Sequence, residues 1–249
     1  DGSPITTLTV SGTDGSYWGI SGIKVNGIQL VDGSVISSIG DSFVDTPTDY
    51  GNDTGLGGEV RGNYCVINPL GQSPNTPTIS DGNLQMTHGS SQATRLGTIG
   101  ASSGKYYWEI VYTAATAFDG MVGVADQSHG LDRYVGSTSG SWGYYYTGNT
   151  IHAASGVSYG SSWTTNDVMS IALDMDNLAI YFAKNGVWQN SGDPTSGSSK
   201  TGAAYTNLSG TIFPALNAYG GTQVVNWGAR PFVYPAPSGY KSLCTTNLP

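Results

Sequence analysis

Charged side chains are scarce. Asp, Glu, Lys and Arg make up 10% of the 249 residues, against about 25% in an ordinary soluble domain. Nine Lys and Arg are scattered among 17 Asp and Glu, for a formal charge of −8. Without a basic stripe, a nucleic-acid-binding face is excluded. No apolar run reaches the ~18 residues a membrane-spanning helix needs. Apolar residues recur at a spacing of two and never of three and four, so no amphipathic helix is expected. The histidines His88, His129 and His152 show no zinc-binding spacing. Glu59 and Glu109 are the only glutamates, and nothing marks the opposed carboxyl pair of a glycosidase. No cofactor or metal is expected. Two cysteines, Cys65 and Cys244, are too few for a disulfide framework. The sequence begins at Asp1 without Met or a signal peptide, which reads as a processed or excerpted piece of a longer polypeptide.

Glycine, by contrast, is plentiful: 37 residues, about twice the usual share of ~7%. Sixteen Tyr and six Trp accompany it. Such a chain is all-β, rich in turns and neutral-polar at its surface, which suits a secreted or virion protein. The most informative stretch is residues 167–190, DVMSIALDMDNLAIYFAKNGVWQN. Met169, Ile171 and Leu173 alternate with Ser170 and Ala172, the period of a strand with one buried face. Asp174-Met175-Asp176-Asn177 is a turn, because short acidic and amide side chains bond their own backbone. Leu178, Ile180 and Phe182 alternate in turn. Asn185-Gly186 then makes a type I′ hairpin, since both positions accept φ > 0. Val187 and Trp188 begin a third strand. A three-stranded meander cannot bury its apolar face alone, so a second sheet is expected.

This stretch resembles the central signature of the SPRY domain, an antiparallel β-sandwich of concanavalin-like, jelly-roll form. Further motifs follow the family's order. Gly104-Lys105-Tyr106-Tyr107-Trp108-Glu109-Ile110 resembles its opening strand and Val122-Gly123-Val124-Ala125 the next core strand. Ile212-Phe213-Pro214-Ala215 with Val225-Asn226-Trp227-Gly228 resembles its closing pair, with Trp227 where Phe is commoner. The resemblance implies a sandwich over residues 64–235 and a role in protein interaction. It also implies that the ends of the sandwich lie together, so Cys65 and Cys244 are either a disulfide pair or two buried thiols.

Residues 1–38 read as a separate N-terminal β-hairpin unit: Leu8 and Val10 alternate with threonines, and Asn26-Gly27 separates Ile23-Lys24-Val25 from Ile28-Gln29-Leu30. This unit resembles the closing hairpin of modules strung along bacteriophage fibre-like proteins, and is either the end of a preceding module or an extension. Residues 39–63 read as a linker and 236–249 as an exit segment. Both flanks resemble phrases that border SPRY modules in phage structural proteins. Within the sandwich, short strands are expected at 83–88 and 94–99, and longer ones at 105–112 and 142–146. Polar loops are expected at 126–141, 153–165 and 190–210.

Gly40-Asp41-Ser42, Gly51-Asn52-Asp53 and Asp126 to His129 imitate the words of a Ser-His esterase. The esterase family those words belong to is built on a parallel sheet wrapped in helices, and this chain shows no helical period. Asp174, Asp176 and Asn177 are too few hard ligands for a complete calcium loop. Trp108, Trp142 and Trp163 read as core. Recognition remains, and binding residues belong on loops held by a rigid frame. The candidates are His129, Asp132, Arg133 and Tyr134 on the long loop, with Tyr144, Tyr146 and Tyr159 as flat faces. The expected function is that of a non-enzymatic phage virion protein of tail-fibre or head-fibre kind. It would bind a host-surface glycan or protein, or other virion proteins, as a homo-oligomer for which the family suggests a trimer. The alternatives are a secreted bacterial adhesin or lectin-like module and a polysaccharide-degrading enzyme.

Overall fold

The computed structural model describes residues 23–25, 28–30, 52–89, 91–115 and 120–249. Contacts divide the chain into two units, Asp1–Asp45 and Thr46–Pro249. In the first, strands β1 (Ile23–Val25) and β2 (Ile28–Leu30) pair antiparallel, with Val25 opposite Ile28 and Ile23 opposite Leu30. This is the register that the Asn26-Gly27 hairpin requires. The expected strand at Leu8 and Val10, most of the linker, the word at Gly40 and Gly51 itself lie outside the described residues.

The second unit is a two-layer antiparallel sandwich. β6 (Lys105–Ala115) is its axis. On one side β6 pairs with β11 (Val168–Asp174), Trp108 opposite Ile171 and Tyr106 opposite Leu173. On the other it pairs with β15 (Gly221–Asn226), Val225 opposite Ile110. β11 continues into β12 (Ala179–Lys184) and β13 (Val187–Trp188). The expected type I′ turn is present, with Asn185 at φ 49° and Gly186 at φ 78°. Beyond β15 lie β4 (Gln85–His88) and β3 (Thr78–Ser80). The facing sheet runs β10 (Ser155–Ser158), β9 (Asn149–His152), β8 (Ser141–Tyr145), β7 (Met121–Ala125), β14 (Phe213–Ala218) and β5 (Ala93–Leu96). The alternation of β6 puts Tyr106, Trp108, Ile110 and Tyr112 between the sheets. There they meet Ile171, Leu173, Ile180 and Phe182 of their own sheet and Val122, Val124 and Leu216 of the other. Trp227 is fully buried in this core.

The structure departs from the sequence reading in four places. Leu178 does not join the buried face of β12: it sits in the turn at φ 56° and is 40% exposed. β10 lies within an expected loop, carries no apolar alternation and is exposed throughout. It forms because Ala153 and Ala154, both at positive φ, turn the chain back on β9. β11 and β12 are buried on both faces, because Tyr107, Ala172, Ala179 and Tyr181 of the large sheet are roofed by Phe232, Ala236 and Tyr240. The flanks belong to this body. Asp53 Oδ2 accepts hydrogen bonds from the Ser242 N–H (2.8 Å) and Asn247 Nδ2 (2.7 Å). β16 (Lys241–Ser242) adds to the Tyr106–Tyr107 end of β6 as a parallel strand. Residues 52–63 and 236–249 therefore help build the sandwich, rather than lead into and out of it.

Cys65 and Cys244 are both buried and free. Tyr64 pairs with Cys244 across an antiparallel bridge, and the Cys65 N–H donates to the Leu243 carbonyl at 2.9 Å. Neighbours along a strand point to opposite faces, so Cys65 turns into the core with Leu243 while Cys244 faces the other way. In the structure they stand as two separate, free thiols. Among the described residues no α-helix occurs, only the short 3-10 turns Gln189–Ser191, Gly197–Ser199 and Thr245–Asn247.

Candidate functional site

The long loop between β7 and β8 folds back over the outer face of the smaller sheet. Its polar residues serve first to hold the loop itself. Asp126 Oδ1 accepts from the Ser128 N–H (2.8 Å) and Oγ (2.6 Å), an Asx-turn at the start. At the end, Ser141 Oγ accepts from the Gly136 N–H at 2.9 Å. β5 clamps the middle: the Thr94 N–H donates to the Leu131 carbonyl and Thr94 Oγ1 to the Arg133 carbonyl. The β9–β10 turn clamps the far side, with the Ala154 N–H donating to the Gly136 carbonyl at 2.9 Å. Val135 is thereby pressed onto Met121, Ala125 and Ala215. A loop fixed on three sides presents its remaining side chains at low entropic cost.

Beside Val135 a groove of about 260 Å³ opens on the sheet, lined by Gln92, Met121, Tyr134, Tyr145, Ile151 and Asn217. Strand alternation supplies its floor. Leu216 and Ala218 point into the core, so Asn217 points outward, opposite Met121 on β7 and Thr94 on β5. Asn217 is nonetheless only 1% exposed. Its Nδ2 donates to the Ala93 carbonyl (3.4 Å) and to Thr94 Oγ1 (3.3 Å). Its Oδ1 is buried with no hydrogen-bond partner, an arrangement that costs ~1–3 kcal/mol. The groove therefore combines two tyrosines, two aliphatic side chains and an amide acceptor that lacks a donor.

The sequence candidates divide sharply. Tyr134 lines this groove, while Asp132 and Arg133, the two residues before it in the loop, stand exposed with their side chains 3.6 Å apart. Such a surface ion pair contributes little to stability, which leaves both free to meet a ligand. His129 lies beneath the loop, only 3% exposed, with Nδ1 at 3.0 Å from Thr138 Oγ1. Burial lowers its pKa to about 4, so it is a neutral support and not a contact residue. Tyr144 is no binding face either: it is fully buried, stacks on Phe182 at 5.3 Å and donates to the Ser161 carbonyl. Tyr159 packs against the same core and donates to the Gly202 carbonyl at 3.0 Å. Burial raises the pKa of both phenols. Tyr146, half-buried, packs on the core edge with its ring against Tyr145. The sequence offered these tyrosines as flat contact faces, yet each hydroxyl of Tyr144 and Tyr159 is spent on a backbone carbonyl.

Gln92, Met121, Tyr145, Ile151 and Asn217 were not foreseen. The available signal was Asn217 itself, an amide at an outward position in the otherwise apolar FPALNA strand. The acidic turn after β11 is structural. Asp174, fully buried, bonds Lys105 Nζ at 3.1 Å and accepts from the Asn177 N–H and Nδ2. Asp176 Oδ1 accepts from the Gly104 N–H at 2.7 Å. Glu109 is buried on the outer face of the large sheet, where it receives the N–H groups of Val233 and Tyr234 (2.8 Å each) and the Tyr107 hydroxyl (3.1 Å).

Comparison with known proteins agrees with this architecture. The family model described as SPRY domain matches residues 105–230. The chain is 30% identical over 151 residues to a probable ATP-dependent RNA helicase ddx1 of Dictyostelium discoideum, covering 61% of this chain and 18% of that protein. It is 28% identical over 142 residues to Ran-binding protein 10 of Danio rerio (55% and 21%) and to Ran-binding protein 9 of Homo sapiens (55% and 18%). The match thus spans about a fifth of the length of these curated relatives. The crystal structure of the SPRY domain of human HERC1 superposes with a TM-score of 0.52 at 24% identity, over 64% of this chain and 96% of that one. With the signature strands β6, β11, β12, β14 and β15 in place and half the chain matched, the protein belongs to the SPRY domain family, whose members are protein-interaction modules.

Proposed function

We propose that this chain is a non-catalytic binding module that receives an extended peptide segment of a partner protein in the groove between the β7–β8 loop and the outer face of the small sheet. The observation that carries this reading is the buried, unpartnered Oδ1 of Asn217 at the groove floor. A peptide N–H is the donor it lacks, and supplying one removes the cost of a stranded acceptor. Tyr134 and Tyr145 give flat contact area that loses little entropy on binding, and Met121 and Ile151 accept an apolar side chain. Asp132 and Arg133, exposed on the same loop, select by charge and steer the encounter. The flanking phrases at 39–63 and 237–249 resemble those around modules of phage structural proteins, which supports a place in a virion fibre whose partner is a host-surface or virion protein.

The test is selection of a random peptide library on the immobilised chain, followed by titration of the enriched peptides. Tyr134→Ala and Asn217→Ala are expected to weaken binding at least tenfold each, with peptide-induced amide shifts confined to β5, β7, β14 and the loop. Enriched peptides that bind both variants as tightly as the parent chain would refute the groove. Failure of the polypeptide to co-purify with phage particles would refute the virion setting alone.

A further inference from the structure

His129 is built into the loop in a way that binding does not require. Its backbone N–H donates to the Asp126 carbonyl at 3.3 Å, and Nδ1 reaches Thr138 Oγ1, which in turn lies 3.1 Å from Ser141 Oγ. The ring is therefore the internal post that joins the first half of the loop, 126–129, to the second, 136–141. Its other nitrogen, Nε2, is buried with no hydrogen-bond partner. A neutral imidazole with its proton on Nδ1 donates to Thr138 and leaves only a lone pair unmet at Nε2. An imidazolium carries two N–H donors, and the one on Nε2 would have no acceptor.

Nearby groups do not rescue the cation. The charged groups that act on the ring are Asp126, Arg133 and Asp132, all of its own loop. Asp126 Oδ1 is already occupied by Ser128, and Asp132 lies against Arg133. The strands packed on the loop contribute Thr94 from β5 and the Ala153–Ala154 turn after β9. Arg95 of β5, next to Thr94, Tyr134 of the loop itself, and His152, whose Nδ1 lies 2.9 Å from the Ser141 carbonyl, are the further titratable groups nearby.

We infer that the β7–β8 loop is a proton-operated gate over the groove: uptake of a proton by His129 expels the ring from beneath the loop and withdraws Tyr134, Asp132 and Arg133 from their binding positions. This deepens the peptide-groove reading and rests on it. In the closed loop His129 titrates near 4, against 6.5 for the ring in water. The open form therefore binds the proton more tightly throughout that window. By linkage the open population rises about 30-fold between pH 8 and pH 5. Above pH ~6.5 the loop is closed, and the gate loosens progressively below it.

Amide hydrogen exchange on the free chain, corrected for intrinsic rates, reads this directly. Protection of the Ser128, Gly136, Ser137 and Ala154 amides is expected to fall about 30-fold from pH 8 to pH 5, while amides of β11 hold. In His129→Gln, which has a side-chain amide to meet Thr138 but takes no proton, the loop amides should show no such fall. The gate is overturned by a pH-independent wild-type loop, or by an equal fall in His129→Gln, which would assign the effect to His152 or to a carboxylate. Should that variant not fold, an NMR titration of the wild-type ring decides: a His129 pKa at or above 6.5 refutes the gate. Because no ligand is present, a negative result sinks the gate and leaves the groove reading to the Tyr134 and Asn217 variants.

Discussion

Glu109→Ala tests how the large sheet is closed on its outer face. The Glu109 carboxylate is 3% exposed and faces away from the inter-sheet core. It holds the Val233 and Tyr234 N–H groups at 2.8 Å each and the Tyr107 hydroxyl at 3.1 Å. These bonds pin the segment that carries Phe232, whose ring meets Tyr107 edge-on at 4.8 Å. Truncation strands three donors. Hydrogen bonds to a charged group contribute ~1.5–3 kcal/mol each, but part-buried amides recover some of this from water. The expected net loss is about 3–5 kcal/mol, a large fraction of the ~5–15 kcal/mol that holds a domain together. Urea unfolding followed by tryptophan fluorescence, with hydrogen exchange at Val233 and Tyr234, measures it. The pH dependence has a definite sign. Burial raises the Glu109 pKa above 4.5, outweighing the opposing hydrogen bonds. The folded state then holds this proton more tightly than the unfolded chain does. The wild type's margin over the variant should be widest below pH ~4.5 and narrow as pH rises through the raised value. A loss under about 1 kcal/mol with Val233 and Tyr234 still protected, or a margin that widens with pH, would refute the argument.

Cys65 and Cys244 should both resist a thiol reagent in the folded chain and both react on unfolding, with no mass change on reduction; burial pushes the Cys65 thiol up to about 12. A native disulfide, or fast reaction of Cys65 without unfolding, contradicts the bridge geometry. Gly123→Ala should cost about 3 kcal/mol or more in urea unfolding, because its Cβ would stand 2.1 Å from the Trp142 carbonyl oxygen across β7–β8. Gly89→Ala, whose Cβ meets nothing within 4 Å, should stay within about 0.5 kcal/mol of wild type. Equal effects at the two glycines would show that close strand approach is not what Gly123 provides.

Local patterns in the chain carried much of the fold. Period-two alternation placed β6, β11 and β12 and the faces of Tyr106, Trp108 and Ile110, because side-chain direction along a strand is a property of the strand alone. Asn185-Gly186 fixed its own turn, since few other residues accept two positive φ values in succession. Where alternation misled, a tertiary partner was responsible. β11 is buried on both faces because residues 232–240 return to cover it, and nothing near residue 170 encodes a roof that arrives sixty positions later. β10 forms without a buried face, its one apolar residue Val157 exposed, because a turn delivers it to an unpaired edge.

The site divides along the same line. The sequence by itself determined that a long polar loop with Asp132, Arg133 and Tyr134 would be displayed on a rigid β frame, since polarity, turn chemistry and alternation are written locally. Only the tertiary structure decided that Tyr144 and Tyr159 are interior, that His129 is a post beneath the loop, and that Asn217 closes a groove with an acceptor left open. Those outcomes depend on which strands become neighbours. Burial and hydrogen-bond partnership are properties of pairs of residues distant in the chain, and they exist only once the two sheets have closed on each other.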